Sequence, residues 1–279
     1  MKPDDALLLS GGATRHPVRG VRGGRAFDDH DWIADEVAVA LEYNGVAHAV
    51  MLATPLDLED FALGFSLSEG ILDSAAELYD VEPDQGPLGI TLRLQVGSAA
   101  FARLKERRRS MAGRTGCGLC GTESLAHVAR ALPALPDAPA LPGRAIGRAM
   151  RELAALQALQ RATGAVHAAA WCSHDGEVRL LREDVGRHNA LDKLVGGMTN
   201  TRLPDATSGF IAVTSRASFE MVQKTASAGV PLLAAVSAPT SLAIRTADAV
   251  RLTLVGFARA DDLVVYSHPE RLAFEPPSE

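Results

Sequence analysis

Apolar and polar residues alternate with a period of two over residues 36–51, and the two runs are parted by Asn44 and Gly45. That pair accepts the positive φ angles of a type I′ turn, so the segment predicts a β-hairpin. Asp57 then stands where a helix N-cap belongs, ahead of Phe61, Leu63, Phe65 and Leu67, with Gly70 as the stop. Ile90, Leu92, Leu94 and Val96 alternate strictly and predict a half-buried strand. Ser98 can cap the next helix, which ends in the basic run 105–109. Pro133, Pro136, Pro139 and Pro142 recur every third residue, a pattern that excludes both helix and central strand. Residues 132–143 therefore predict an extended, polyproline-like linker.

Beyond the linker the period switches repeatedly between 3.6 and two. Helices are expected over 145–162, 189–195, 219–228 and 241–247, and strands over 166–172, 178–181, 209–214, 231–236, 252–255 and 263–266. Such alternation points to a layered α/β sheet. Residues 1–34, rich in Gly, Arg and Asp and without apolar periodicity, are expected to be a flexible N-terminal arm. The organisation expected is thus an arm (1–34), an N-terminal α+β region (35–131), the linker (132–143) and an α/β domain (144–279).

Composition narrows the class of protein. The chain has 279 residues, with 28 basic and 34 acidic side chains giving a net charge of −6, and a mean hydropathy of +0.06. This length can bury a core without disulfide or metal staples. Its three cysteines, Cys117, Cys120 and Cys172, lack the spacing of a secreted scaffold, so a reducing cytoplasmic compartment is expected. Leu7 to Leu9 are too short for a signal-peptide core, and no run of about 18 uncharged apolar residues follows. Neither secretion nor membrane insertion is expected, and net acidity argues against nucleic-acid binding.

The sharpest chemical feature is the loop GRTGCGLCG over residues 113–121. Its four glycines leave both thiols open to close approach. Arg103, Lys105, Arg107, Arg108, Arg109 and Arg114 lie upstream, and their field favours thiolate over thiol. Three chemistries fit: half of a zinc site completed by Cys172 with His167, His174 or His188, a redox dithiol, or a sulfur carrier in which one thiolate holds a persulfide. The zinc deaminases place H-x-E before P-C-x-x-C. Here the order is reversed, and Ala169 stands where the glutamate should be, so deamination is disfavoured.

Three strand-to-helix junctions are rich in anion-binding groups: residues 182–189, with His188; residues 214–218, with Ser215 and Arg216; and residues 237–240. Free helix N–H groups, hydroxyls and guanidinium at successive strand ends fit a phosphate or nucleotide pocket. Ser218 and Thr240 equally fit plain helix caps, each worth ~1 kcal/mol. Neither a Walker A sequence nor a strand-linked GxGxxG is present.

The runs LKERRRSMAGRTGCGLCG (104–121), HAAAW (167–171), EDVGRHNALDK (183–193), SRASFEMVQK (215–224), 237–243 and LTLVGF (252–257) together resemble the FdhD family, the sulfurtransferases that assist formate dehydrogenase. The resemblance runs from about residue 36 to the C-terminus. It implies a cytidine-deaminase-like three-layer sandwich with a smaller N-terminal α+β region, and a homodimer. It further implies persulfide transfer from a cysteine desulfurase to the molybdenum cofactor, in its bis(molybdopterin guanine dinucleotide) form, before that cofactor enters the formate dehydrogenase apoenzyme. A guanine nucleotide such as GDP would mimic part of that substrate.

The family's carrier cysteine falls on Cys117 and its second motif cysteine on Cys120. Its cofactor-binding stretch falls on Phe257, Ala258, Arg259, Ala260, Asp261 and Asp262. The two aspartates depart from the family pattern and would repel a pyrophosphate. Binding is then expected to use the backbone there, or Arg216 and Lys224, beside Ser215 and His188. The alternative function is a non-catalytic cofactor chaperone whose CxxC is structural or zinc-bound.

Overall fold

The computed structural model describes residues 11–112, 132–201, 203, 205–260 and 262–274, without the side chains of 107–112. In chain order the strands and helices begin with β1 (Ala13–Arg22), β2 (Arg25–Ala34), β3 (Val37–Tyr43), β4 (Val46–Ala53), α1 (Leu58–Ser68), β5 (Leu78–Gly86), β6 (Gly89–Val96) and α2 (Ser98–Ala112). They continue with β7 (Leu141–Pro142), α3 (Gly143–Leu156), α4 (Ala158–Thr163), β8 (His167–Ser173), β9 (Val178–Asp184) and α5 (Arg187–Asn200). The last are β10 (Gly209–Val213), α6 (Phe219–Ser227), β11 (Leu232–Ala235), α7 (Ser241–Ala249), β12 (Thr253–Arg259), β13 (Asp262–Ser267) and β14 (Leu272–Ala273).

The smaller sheet has the order β4-β3-β6-β5. Asn44 and Gly45 both take positive φ, 47° and 79°, and close the β3–β4 hairpin that the alternation predicts. Val39, Leu41 and Tyr43 on β3 and the four alternating apolar residues of β6 pack on Phe61, Leu63 and Phe65 of α1. Asp57 precedes α1 but does not cap it: its φ is 53° and its side chain accepts no bond from the helix.

The larger sheet has the order β13-β12-β11-β10-β8-β9. Strands β9, β10, β11 and β12 run parallel, whereas β8 and β13 run against them. Helix α3 covers one face through Ile146, Ala149, Met150 and Leu153, which meet Ala170, Phe210 and Ala234. Helices α5, α6 and α7 cover the other through Leu191, Leu194, Met221, Val222 and Ala243. The result is a three-layer α/β arrangement with a central sheet buried on both faces, as its apolar strands require.

Three expectations change. Residues 13–34, read as an arm without structure, form the β1–β2 hairpin, whose base packs Ala13 with Leu159 and Val166 and carries Trp32 and Ala34 against them. Its strands are exposed on both faces, which is why no apolar period marks them. The proline-rich stretch has no helix, yet it is fastened to the larger unit: Leu135 is buried and its N–H donates to Val250 O at 2.9 Å, while β7 pairs with β14. The helix expected over 145–162 is broken at Gln157 into α3 and α4.

The two units meet where α1 lies on α5. A Cβ at Gly64 would overlap the Asp192 carbonyl oxygen, and one at Gly196 would overlap that of Asp60. Only glycine lets the two backbones approach this closely.

Candidate functional site

The parallel arrangement brings the carboxyl ends of β9, β10, β11 and β12 and the amino end of β8 to one edge of the larger sheet. In such sheets ligands bind outside this edge, where helix N–H groups are free. Backbone bonds stitch the junctions together. Thr214 N donates to Ala168 O (3.1 Å), Val236 N to Val213 O (3.1 Å), Thr240 N to Ala217 O (3.1 Å) and Phe257 N to Ser237 O (3.3 Å). Ala217 also forms a parallel bridge with Pro239.

At the β9 end, Asp184 turns the chain and α5 starts at Arg187. Arg187 Nε and His188 Nε2 are buried without a hydrogen-bond partner among the described residues. A guanidinium nitrogen left unsatisfied at a sheet edge is suited to an incoming anion, whereas His188 Nε2 faces Glu220 Oε2 at 3.7 Å. His167, paired in register with Asp184 at the start of β8, is half-buried. Burial, then the Arg187 and His188 charges, lower its pKa. A cleft of about 370 Å³ opens beside it, lined by Gln157, Gln160, Val166, His167 and Thr214.

At the β10 end, Ser215 is buried, with its hydroxyl donating to Arg216 O at 3.0 Å, while Arg216 itself is exposed. Ser218 does not cap α6; its hydroxyl donates to Glu220 Oε2 at 2.8 Å. His188 Nε2, 3.7 Å from that same oxygen, and the Ser218 hydroxyl together push the Glu220 carboxyl down to about 2. Thr240 is a true cap, accepting from Ala243 N at 3.2 Å.

At the β12 end, the ladder slips between Gly256 and Arg259, and Phe257 takes a φ of 51°. The slip turns its ring outward, 41% exposed, at a conformational cost of about 1–3 kcal/mol. Ala258 is buried, Arg259 is exposed with Nε donating to Val236 O at 3.2 Å, and Ala260 holds the turn with φ 47°. Asp262 is exposed at the start of β13, and Asp261 lies outside the described residues.

The structure thus brings Phe257, Ala258, Arg259, Ala260, Asp262, Ser215, Arg216 and His188 to a common edge. Lys224 is not among them. Its ammonium donates to Ser68 Oγ (2.9 Å), Glu69 Oε1 (2.8 Å) and Asp192 Oδ1 (2.9 Å), buried between α1, α5 and α6. The expectation that Lys224 reaches a pyrophosphate is corrected: its three protons are already placed. Arg187, in the charge-rich junction 182–189, joins the residues at the edge as the first residue of α5.

Cys117 and Cys120 lie outside the described residues. Cys172 is fully buried on β8, and burial raises its thiol pKa. His167 and Cys172 stand five residues apart on that strand, roughly 16 Å and on opposite faces, so they cannot share a metal ion. A larger, mostly apolar cleft of about 450 Å³, lined by Leu67, Val195, Met198 and Ala226, sits at the other end of α5 from Arg187. Among the described residues it gathers no cationic group.

Comparison with known proteins adds three findings. The model of the FdhD/NarQ family matches residues 34–273. The sulfur carrier protein FdhD of Variovorax paradoxus is 69% identical over 272 residues, covering 98% of each chain, and that of Cupriavidus necator is 56% identical over 254 residues, covering 91% of this chain and 88% of the other. A crystal structure from Desulfotalea psychrophila, assigned as a formate dehydrogenase accessory protein, superposes with a TM-score of 0.75 at 24% identity, over 94% of this chain and all of that one. At that identity it speaks for the fold alone.

Proposed function

The chain belongs to the FdhD/NarQ family, and on that premise we propose that it is a sulfur carrier that holds sulfur as a persulfide on Cys117 and passes it to the molybdenum cofactor used by formate dehydrogenase. The near full-length match to relatives named as sulfur carriers, together with the CxxC of residues 117–120, carries the reading. The cysteine desulfurase is the donor, and the formate dehydrogenase apoenzyme receives the product. The active unit is a cytoplasmic homodimer. Among the described residues no helix is long and apolar enough to cross a membrane.

The cofactor is substrate here, and the sheet edge supports its binding. Arg187, Arg216 and Arg259 provide cationic donors for the pyrophosphates, His188 stands beside them, and the outward ring of Phe257 provides a face on which a guanine can stack. Asp262 is exposed and sits beyond the turn, so backbone groups of residues 257–260 and the Arg259 side chain, rather than the Asp262 carboxylate, serve the phosphates. The three-layer arrangement supports a deaminase-like reading of the larger unit. Ala169 leaves that fold without the deaminase acid/base, so fold and chemistry part company.

The test is direct. Incubated with a cysteine desulfurase and cysteine, the wild-type protein gains one sulfur on the peptide containing Cys117 by mass spectrometry. Absence of added sulfur on that peptide overturns the proposal.

A further inference from the structure

The loop that presents Arg187 and His188 is held by the other structural unit. Asp184, fully buried, accepts at Oδ2 from Thr54 N (3.0 Å) and from Lys193 Nζ (2.7 Å), and at Oδ1 from Gly186 N (2.7 Å) and Asn189 Nδ2 (3.0 Å). Four donors occupy the acceptor positions of one carboxylate. Lys193 Nζ also donates to Thr54 O (2.8 Å), Asn189 Nδ2 to Leu52 O (2.7 Å), and Val185 N to Thr54 Oγ1 (3.2 Å). None of these bonds belongs to a sheet ladder. Together they clamp residues 185–189 to the end of β4 and the turn that follows it.

Two features argue that this clamp serves more than stability. A buried ion pair returns little net stability, because desolvating both charges offsets most of their attraction. Its firm effect is on geometry: neither the Asp184 nor the Lys193 side chain has any solvent exposure, so salt screening is weak and the arrangement is fixed. What it fixes is the first turn of α5, where Arg187 Nε lies buried without a hydrogen-bond partner among the described residues and His188 Nε2 faces Glu220 Oε2 at 3.7 Å. Holding donors ready lowers the ordering cost of binding an anion.

We propose that Asp184, with Lys193 as its counter-ion, is a positioning residue for anion binding at the sheet edge, tying the loop that carries Arg187 and His188 to Thr54 of the N-terminal unit. The proposal rests on the reading of that edge as the surface that binds the guanine dinucleotide cofactor.

The test is calorimetric titration of the full chain with GDP, paired with melting temperatures and amide hydrogen exchange. Lys193→Met breaks the ion pair, and Thr54→Val removes only the Oγ1 acceptor for Val185 N at nearly constant volume. Asp60→Asn is the control. It weakens a different contact of the same interface, where Asp60 Oδ2 accepts from Arg182 Nη2 at 2.6 Å. Lys193→Met is expected to weaken GDP binding roughly tenfold, and Thr54→Val by a smaller factor with faster exchange at residues 185–188. Asp60→Asn lowers the melting temperature and leaves GDP affinity unchanged. If Lys193→Met does not fold, Thr54→Val decides. Wild-type affinity in a folded Thr54→Val protein overturns the proposal, whatever its melting temperature. Failure of the wild type itself to bind GDP overturns the cofactor reading, and this proposal with it.

Discussion

Lys224 Nζ lies 2.9 Å from Asp192 Oδ1, with both side chains almost wholly buried between α1, α5 and α6. The pair joins the two structural units, and Ser68 completes it by donating to the same Asp192 oxygen at 2.6 Å. Replacing Lys224 by methionine leaves the Asp192 charge without its partner. The expected loss of stability is about 3–5 kcal/mol, read from the midpoint of urea unfolding. GDP affinity of the folded fraction is expected to stay at the wild-type value, which separates this structural role from a cofactor-binding one.

The glycine contact between α1 and α5 gives a second expectation. Gly64→Ala places a methyl against the Asp192 carbonyl, where neither backbone can yield without moving a helix. A loss of about 1–3 kcal/mol or more is expected in thermal unfolding. Combining it with Gly196→Ala is expected to be non-additive, since both act on one helix pair.

The sheet edge also predicts a pH dependence. The Glu220 carboxyl, held down to about 2 by His188 and Ser218, contributes stability that is present above its ordinary value near 4.5 and is lost as pH falls through about 2. The melting temperature of Glu220→Gln is therefore expected to lie slightly below wild type at neutral pH, with the gap closing toward pH 2. The effect is small, because the side chain is about one-third exposed.

Arg216 is exposed at the edge, and its side chain makes no hydrogen bond or ion pair among the described residues. Arg216→Ala is expected to weaken GDP binding and flatten its salt dependence, while stability stays within about 0.5 kcal/mol. Titrations at two salt concentrations, with a melting curve, check both halves.

Much of the fold was legible because local signals agreed with the tertiary arrangement. Asn44-Gly45 closes a hairpin, and Ile90 to Val96 line one face of a strand. The β1–β2 hairpin was not legible, because its strands are exposed on both faces and carry no buried stripe. For the site, the hydroxyl- and charge-rich junctions pointed to the sheet edge at which the structure gathers them, since strand ends are where such residues collect. Lys224 misled because its partners, Ser68 and Glu69, lie more than 150 positions away in the chain. The clamp on Asp184 was hidden for the same reason: its acceptors and donors in residues 52–54 are distant in sequence and belong to another layer.

The central claim is that sulfur travels through the dithiol. The most direct measurement loads the protein with ³⁵S from labelled cysteine and a desulfurase, then counts label in the molybdenum cofactor recovered from reconstituted formate dehydrogenase. Wild type is expected to deliver label and activity, and the Cys117→Ala/Cys120→Ala double variant neither. Full activation by the double variant, with labelled sulfur reaching the cofactor as in wild type, would contradict the account and leave the chain a cofactor chaperone.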